Sequence, residues 1–360
     1  MKRGNITKRG KESWQLKFEG PRSADGKRQI RYSTVKGTYK DAQKELTRLL
    51  GDRDTGKLPT ATKDTVKEFL SSMLDGMVSV SPKTLERYHE LAERQIYPHL
   101  GSEKIRYLTR EQVEGWHKTL LDAGFAPATV RHADAVLCRA LRRIKNTAAL
   151  EREKPKAKRK PVEILEPADA KTALESIKGH YLWPISFLAL RTGMRRGELC
   201  GLYWRNVNLD AATVRIEGSL EQTKAGLRLK EPKTDSGKRT ITIDADTVDM
   251  LRKLKVETGE KRLACGAGGN LDDMPVFSFL GEWIPPDKVS RDWARNAKVK
   301  ATFHSLRHTH ASTLLNNGVD ILTVSKRLGH SKPSITLDVY CGYIKGSDER
   351  AAVVIAEALK

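Results

Sequence analysis

The chain has 360 residues, 38% apolar and 31% charged, enough for two or three domains with proper cores under a heavily charged surface. Its formal net charge of +21, with a pI near 9.8, calls for a polyanionic partner, either nucleic acid or an anionic membrane. The membrane reading is the weaker: the longest apolar run, YLWPISFLAL, has ten residues and a proline, against the roughly 20 that span a bilayer.

The basic charge is graded along the chain. Residues 1–60 hold 16 Lys and Arg against 7 Asp and Glu, residues 61–160 hold 20 against 13, and residues 161–360 hold 30 against 25. The front segments are expected to grip, and the back segment to do something more specific. The opening MKRGNITKRGKESWQ is basic but has no apolar core, so no secretory signal is expected. Cys138, Cys200, Cys265 and Cys341 are scattered and form no C-x-x-C pair. Neither a zinc site nor a disulfide framework is expected, and a reducing cytoplasm fits.

In chain order, WQLKFEG alternates Trp14, Leu16 and Phe18 with polar residues, PRSADGK is turn chemistry, and RQIRYS alternates again. TYKDAQKELTRLL then reads as a helix with Thr38 as N-cap and Asp41 three residues on. This is a small basic sheet backed by one helix, able to lay strands in a DNA groove. LGDRDTGKLPTATKD is a linker. TVKEFLSSML, SPKTLERYHELAERQIYPHL, TREQVEGWHKTLLDAG and APATVRHADAVLCRALRRIKN follow as four helices, each opening on a cap-like Thr, Ser or Pro. EREKPKAKRKPVE, dense in Lys and Arg with two prolines, is a flexible basic strap.

The last segment is mixed. LWPISFLALRTG and RRGELCGLYW read as helices. TVRIEG, GLRLKEPKT and RTITID read as three strands, the last two flanking a polar turn, and ADTVDMLRKLKVETG as the helix after them. VSRDWARNAKV, HSLRHTHASTLLNNG, DILTVSKRLGH and SITLDVYCGY are helices with glycine stops, and SDERAAVVIAEALK is an amphipathic tail helix. The expected fold is therefore multidomain α+β. It comprises a β-sheet-plus-helix unit over 1–58, an all-α unit over 59–152, a basic linker over 153–162, and a mainly α unit with a small antiparallel sheet over 163–360.

Four stretches of the last unit carry chemistry. RTGMRRGELCGL sets Arg195 and Arg196 after a glycine break at a helix start, an anion site, with Glu198 one turn on to orient the Arg195 fork. KEPKTDSGKRT offers Lys230, Lys233, Lys238 and Arg239 on a turn. HSLRHTH puts His304 and Arg307 on one helical face; His308 and His310 beside them match no known zinc pattern. LGHSKPSITLDVYCGY holds His330 at a helix stop, then Tyr340 and Tyr343.

These motifs, TG-x-R…GEL, PKT, H-x-L-R-H and LGH…Y in that order, resemble the tyrosine recombinases, the family of phage integrases, Xer and Cre. The layout is similar to integrases with an arm-type DNA-binding domain, a helical (SAM-like) core-binding domain and a catalytic domain. The resemblance implies that Arg195, Lys233, His304, Arg307 and His330 are catalytic and that Tyr340, not Tyr343, is the nucleophile. Two arginines would clamp the phosphate oxygens in place of a metal. His304 would act as base or bind the phosphate, His330 would donate to a phosphate oxygen, and Lys233 would protonate the 5′-oxygen. The resemblance also implies a homotetramer on double-stranded DNA core and arm sites, with no metal, nucleotide or other cofactor. An accessory DNA-bending protein and a directionality factor are further expected partners, and a nucleoid-associated cytoplasmic location follows. The other readings of the same residues are a type IB topoisomerase-like or telomere-resolving enzyme, and a non-catalytic DNA-binding regulator.

Overall fold

The computed structural model describes residues 4–20, 29–54, 62–157, 161–231, 237–266, 269–340, 352 and 355–359. The chain forms two compact units, Met1–Lys158 and Arg159–Lys360.

The first unit opens with a three-stranded antiparallel sheet, β1 (Gly4–Gly10), β2 (Ser13–Glu19) and β3 (Ile30–Lys36), in sequence order. Strand β1 was not expected, because GNITKRG carries a single large apolar residue. Cross-strand pairing holds it, with Ile6 opposite Leu16 and Thr7 opposite Gln15. Leu16 and Phe18 are buried on the face that meets helix α1 (Tyr39–Asp54). Lys17 and its cross-strand partner Tyr32 project from the opposite face, the ammonium 5.9 Å from the ring centroid. The expected cap of α1 is present. Thr38 N–H donates to Asp41 Oδ2 at 2.9 Å, and Asp41 N–H to Thr38 Oγ1 at 3.3 Å.

Next come α2 (Val66–Asp75), α3 (Pro82–Leu91), α4 (Tyr97–Leu100), α5 (Arg110–Asp122), α6 (Pro127–Arg143) and α7 (Thr147–Leu150). Thr65 and Thr109 close capping boxes with Glu68 and Gln112. Between α3 and α4 the backbone widens into a π-helical stretch, Ala92–Ile96, just ahead of Pro98. Pro98 has no N–H and its ring crowds the carbonyl four residues back, so the wider turn absorbs it without breaking the helix. The apolar faces meet in one core that includes Leu70, Leu74, Ile96, Trp116, Leu137 and Leu141.

The second unit holds α8 (Pro167–Ser176), α9 (Leu182–Thr192) and α10 (Arg196–Cys200), then β4 (Val207–Asn208), β5 (Thr213–Ile216), β6 (Ser219–Thr223), β7 (Gly226–Lys230) and β8 (Arg239–Thr242). Helix α11 (Ala245–Ala264), the pair β9 (Ser278–Phe279) and β10 (Glu282–Trp283), and α12 (Pro286–Asn296), α13 (Ser305–Asn316), α14 (Ile321–Leu328) and α15 (Pro333–Tyr340) follow. The class is mixed, mostly helical with small antiparallel sheets.

One expectation changes. GLRLK and RTIT do not pair with each other: β7 pairs with the unexpected β6, and β8 joins β4 and β5 in a separate sheet. Thr223 and Gly226 close the β6–β7 turn, where Gly226 takes φ +125°. Lys233 and Tyr343 lie outside the described residues, as does most of the tail; within it, residues 355–358 are helical. No helix among the described residues is long and apolar enough to cross a membrane.

Candidate active site

Two glycines at helix ends frame the site. Gly193 ends α9 and Gly329 ends α14, both at φ +67°, the left-handed conformation that favours glycine. A Cβ on Gly193 would lie 2.6 Å from the His310 ring, and one on Gly329 would lie 2.7 Å from Arg239. The close approach turns backbone carbonyls onto two guanidinium groups. Arg307, on the first turns of α13 and 3% exposed, donates to Gly193 O at 2.6 Å and Leu328 O at 2.8 Å. Arg195, at the start of α10, donates to Gly329 O at 3.0 Å.

Glu198 ties the frame together. Its carboxylate accepts from the Arg195 backbone N–H and guanidinium, each at 2.8 Å, and from both Nη groups of Arg239 at 2.9 and 3.1 Å. Arg239 Nε donates to Arg327 O at 2.7 Å. The result is a ring of bonds joining α10, β8 and the end of α14. Burial raises the Glu198 pKa, but the Arg239 hydrogen bonds and the charges of Arg239 and Arg195 outweigh it and hold the carboxyl below its usual range.

Among the described residues Arg307 has no carboxylate as a hydrogen-bond partner. Besides the two carbonyls it donates to His330 Nε2 at 2.9 Å. Burial, with Arg195 next in effect, pushes its pKa down to about 9, which leaves it charged at neutral pH. Because His330 Nε2 accepts, its proton sits on Nδ1 and is donated to Thr336 Oγ1 at 2.8 Å. Burial and then Arg307 lower the His330 pKa to about 4. His304 stands at the N-terminus of α13, exposed, its pKa lowered by the packed protein around it, then by Arg307 and Arg195.

Tyr340 closes α15 and is 1% exposed, packed with Ala311, Leu315, Val324 and Leu328. Its hydroxyl meets His308 Nδ1 at 2.8 Å. Burial pushes the phenol pKa up to about 12, opposed by the charge of Arg307. His308 in turn lies edge-on to His304, with ring centroids 4.7 Å apart, and its pKa is lowered to about 4 by burial and then by His304 and Arg307. Arg195, His304, Arg307, His308, His330 and Tyr340, from α10, α13, α15 and the end of α14, thus lie close together, a geometry suited to holding an anion beside a phenol.

Residues 284–343 match the family model described as the phage integrase family. A tyrosine recombinase XerC-like protein of Caldanaerobacter subterraneus subsp. tengcongensis is 25% identical over 94% of this chain and 94% of its own length. An integrase of Streptomyces ambofaciens is 27% identical over 92% of this chain and 89% of its own. Over nearly its whole length the chain is thus similar to tyrosine recombinases and integrases. The chain shares its fold with the Tn1549 transposon integrase in complex with transposon right end DNA (TM-score 0.64, 20% identity, 80% of this chain and 99% of that one). It shares it also with a lambda integrase dimer bound to a COC′ core site (TM-score 0.60, 16% identity, 93% and 94%).

Of the residues singled out from the sequence, Arg195, Glu198, His304, Arg307, His330 and Tyr340 come together, and Lys233 falls outside the described residues. Arg196 turns away to Asp287 and Ser290 on α12. His310 uses one ring nitrogen on Leu190 O and the other on Arg327. His330, expected to donate to a phosphate oxygen, here accepts from Arg307 at Nε2 and meets Thr336 at Nδ1. Two residues were missed. Arg239 stood in the sequence as one cation among four on a turn, and nothing local ties it to Glu198, 41 residues away. His308 did carry a signal: it is part of H-x-L-R-H and one helical turn beyond His304, the spacing that shares a face.

Proposed function

We propose that the chain is a site-specific DNA recombinase of the integrase type, which integrates or excises a mobile element. The observation that carries this reading is that Arg307 stands near both Arg195 and Tyr340, three side chains brought together from α10, α13 and α15. A phosphodiester bound between the guanidinium groups would have its non-bridging charge neutralised by permanently charged forks, stabilisation that grows as charge develops in the transition state. Tyr340 Oη attacks phosphorus and the 5′-oxygen leaves, giving a 3′-phosphotyrosyl link and a free 5′-hydroxyl. Lys233 is the acid for that leaving oxygen. The phosphotyrosyl ester retains the energy of the broken bond, so a partner strand's 5′-hydroxyl can expel the tyrosine without nucleotide hydrolysis.

In this reading the sheet face bearing Lys17 and Tyr32 contacts arm sites, the helices α2–α7 and the basic linker grip the core site, and Arg159–Lys360 performs the chemistry. The solved lambda integrase tetramer bound to a Holliday junction supports a homotetramer of this chain on paired DNA sites. A DNA-bending protein and a directionality factor would complete the assembly.

The test begins with the DNA flanking the gene, where a direct repeat at both ends of an inserted element supplies the core site. A suicide substrate nicked beside the cleavage point of that repeat traps the covalent complex. Wild type forms the adduct in EDTA; Tyr340→Phe forms none and binds the same DNA with unchanged affinity. An adduct surviving in Tyr340→Phe, or strict dependence on a divalent metal, overturns the reading. A plasmid with paired sites yields excision products, whereas relaxation alone marks a topoisomerase.

A further inference from the structure

We infer that His308 is the general base of the strand cleavage: it takes the proton of Tyr340 as the phenolic oxygen attacks phosphorus. This rests on the strand-transfer reading above and deepens it. The geometry is specific. Tyr340 Oη lies 2.8 Å from His308 Nδ1, and among the described residues no other side chain bonds the hydroxyl. A phenol O–H is a stronger donor than a neutral imidazole N–H, and an imidazole nitrogen is the stronger acceptor, so the O–H points at Nδ1 and the ring carries its own proton on Nε2.

The other histidines are less well placed. His330 has Nε2 on Arg307 and Nδ1 on Thr336, so neither nitrogen is open to the phenol. His304 touches the ring of His308 rather than Tyr340, and its exposure leaves it free to bond a DNA phosphate. His308 therefore stands between the nucleophile and the histidine expected from the sequence to serve as base. The groups facing it are His304 and Arg307 on its own helix, Tyr340 on α15 and His330 beyond α14. Burial first, then His304 and Arg307, keep the imidazole neutral, with its lone pair available, and an arriving phosphodiester anion offsets the Arg307 charge and makes His308 a better base.

The proton and electron count closes. The Tyr340 O–H bond breaks and its proton goes to His308 Nδ1. The phenolic oxygen bonds phosphorus, and the P–O5′ bond breaks with its electron pair going to O5′, which takes a proton from the acid assigned to Lys233. In religation the 5′-hydroxyl of the incoming strand attacks phosphorus and gives its proton back to the group that acted as acid, the P–O bond to Tyr340 breaks, and the His308 imidazolium returns its proton to the departing phenolate.

The experiment is single-turnover adduct formation by the full chain on the nicked suicide DNA, with wild type, His308→Phe, His308→Gln and Tyr340→Phe. Phe keeps the packing without an acceptor; Gln keeps an acceptor that takes up no proton. Both variants are expected to bind the DNA as wild type does and to form the adduct about 10²–10⁴-fold more slowly. Their residual rates should rise roughly tenfold per pH unit as hydroxide replaces the lost base, a slope absent from wild type between pH 7 and 8.5. A wild-type rate in His308→Phe overturns the inference alone. So does rescue by His308→Gln to within a few-fold, which would reduce His308 to a positioning residue. No adduct from wild type overturns the parent reading and this one with it.

Discussion

Each unit buries an arginine in its core, and the two are compensated differently. In the first unit Arg152, its side chain 1% exposed, makes a two-pronged bond to Asp134 with both distances 2.7 Å. His117 donates to the same carboxylate from 3.1 Å, and Cys138 touches both partners. Burial alone would raise the Asp134 pKa, but the bonds from His117 and Arg152 overcome it and hold the carboxyl at about 2. Charge meets charge there, and nothing is left over. In the second unit the guanidinium groups of Arg195 and Arg239 share the carboxylate of Glu198, and Arg307 rests on carbonyls and an imidazole. A buried cation without its own anion costs stability, and a fold keeps that cost where an external anion completes the site. The first cluster is a clasp that fastens the segment after α7 onto α5 and α6; the second, in the function proposed above, is a receptor for phosphate.

Substitution at the two arginine sites should separate these roles. Arg307→Lys keeps the charge but loses the planar fork, and the adduct rate is expected to fall about 10³–10⁵-fold, the range seen when a transition-state arginine is lost. DNA affinity should fall far less. Single-turnover rates and filter binding read the two quantities; equal losses in both would mean that Arg307 only binds. Asp134→Asn leaves Arg152 buried without an anion. It should destabilise the chain by about 3–5 kcal/mol, read from the denaturant midpoint. At temperatures where the variant stays folded, its adduct rate should match wild type. A stable Asp134→Asn would erase the distinction between clasp and receptor.

The sequence made the receptor more legible than the clasp. Arg195, His304, Arg307, His330 and Tyr340 each sit in a short motif beside a helix boundary, and a glycine stop or cap within a few residues announces where the side chain will stand. Thr38 and Asp41 were readable for the same reason: the bond spans three residues. Arg239 and Glu198, His117 and Asp134, or Arg152 and Asp134 meet only because helices and strands pack, and no spacing along the chain reports it. Strand β6 was missed because SLEQT alternates weakly, and its partner supplies the order. The assignment of GLRLK and RTIT to one hairpin failed because adjacency in sequence does not decide which sheet a strand joins.

The smallest predicted effect contrasts the clusters by pH. His308 and His330 are held neutral to about 4 by burial and nearby positive charge, as is His310 by burial and Arg327. An unfolded histidine binds its proton near 6.5. Between those values the unfolded chain holds more protons than the folded one, so stability falls as pH drops below about 6.5, and the loss from these groups is complete near 4. Asp134 behaves oppositely in range: its contribution is present above about 3.9 and declines only as pH falls toward 2. From pH 6.5 to 4.5, hydrogen exchange of the full chain, corrected for the intrinsic rate, should therefore lose protection first in peptides from α13 and α14. Peptides from α5 and α6 should keep theirs. Equal loss in both sets would show that the imidazoles of the receptor are not held neutral, and that its excess positive charge is less confined than the contacts of Arg307 require.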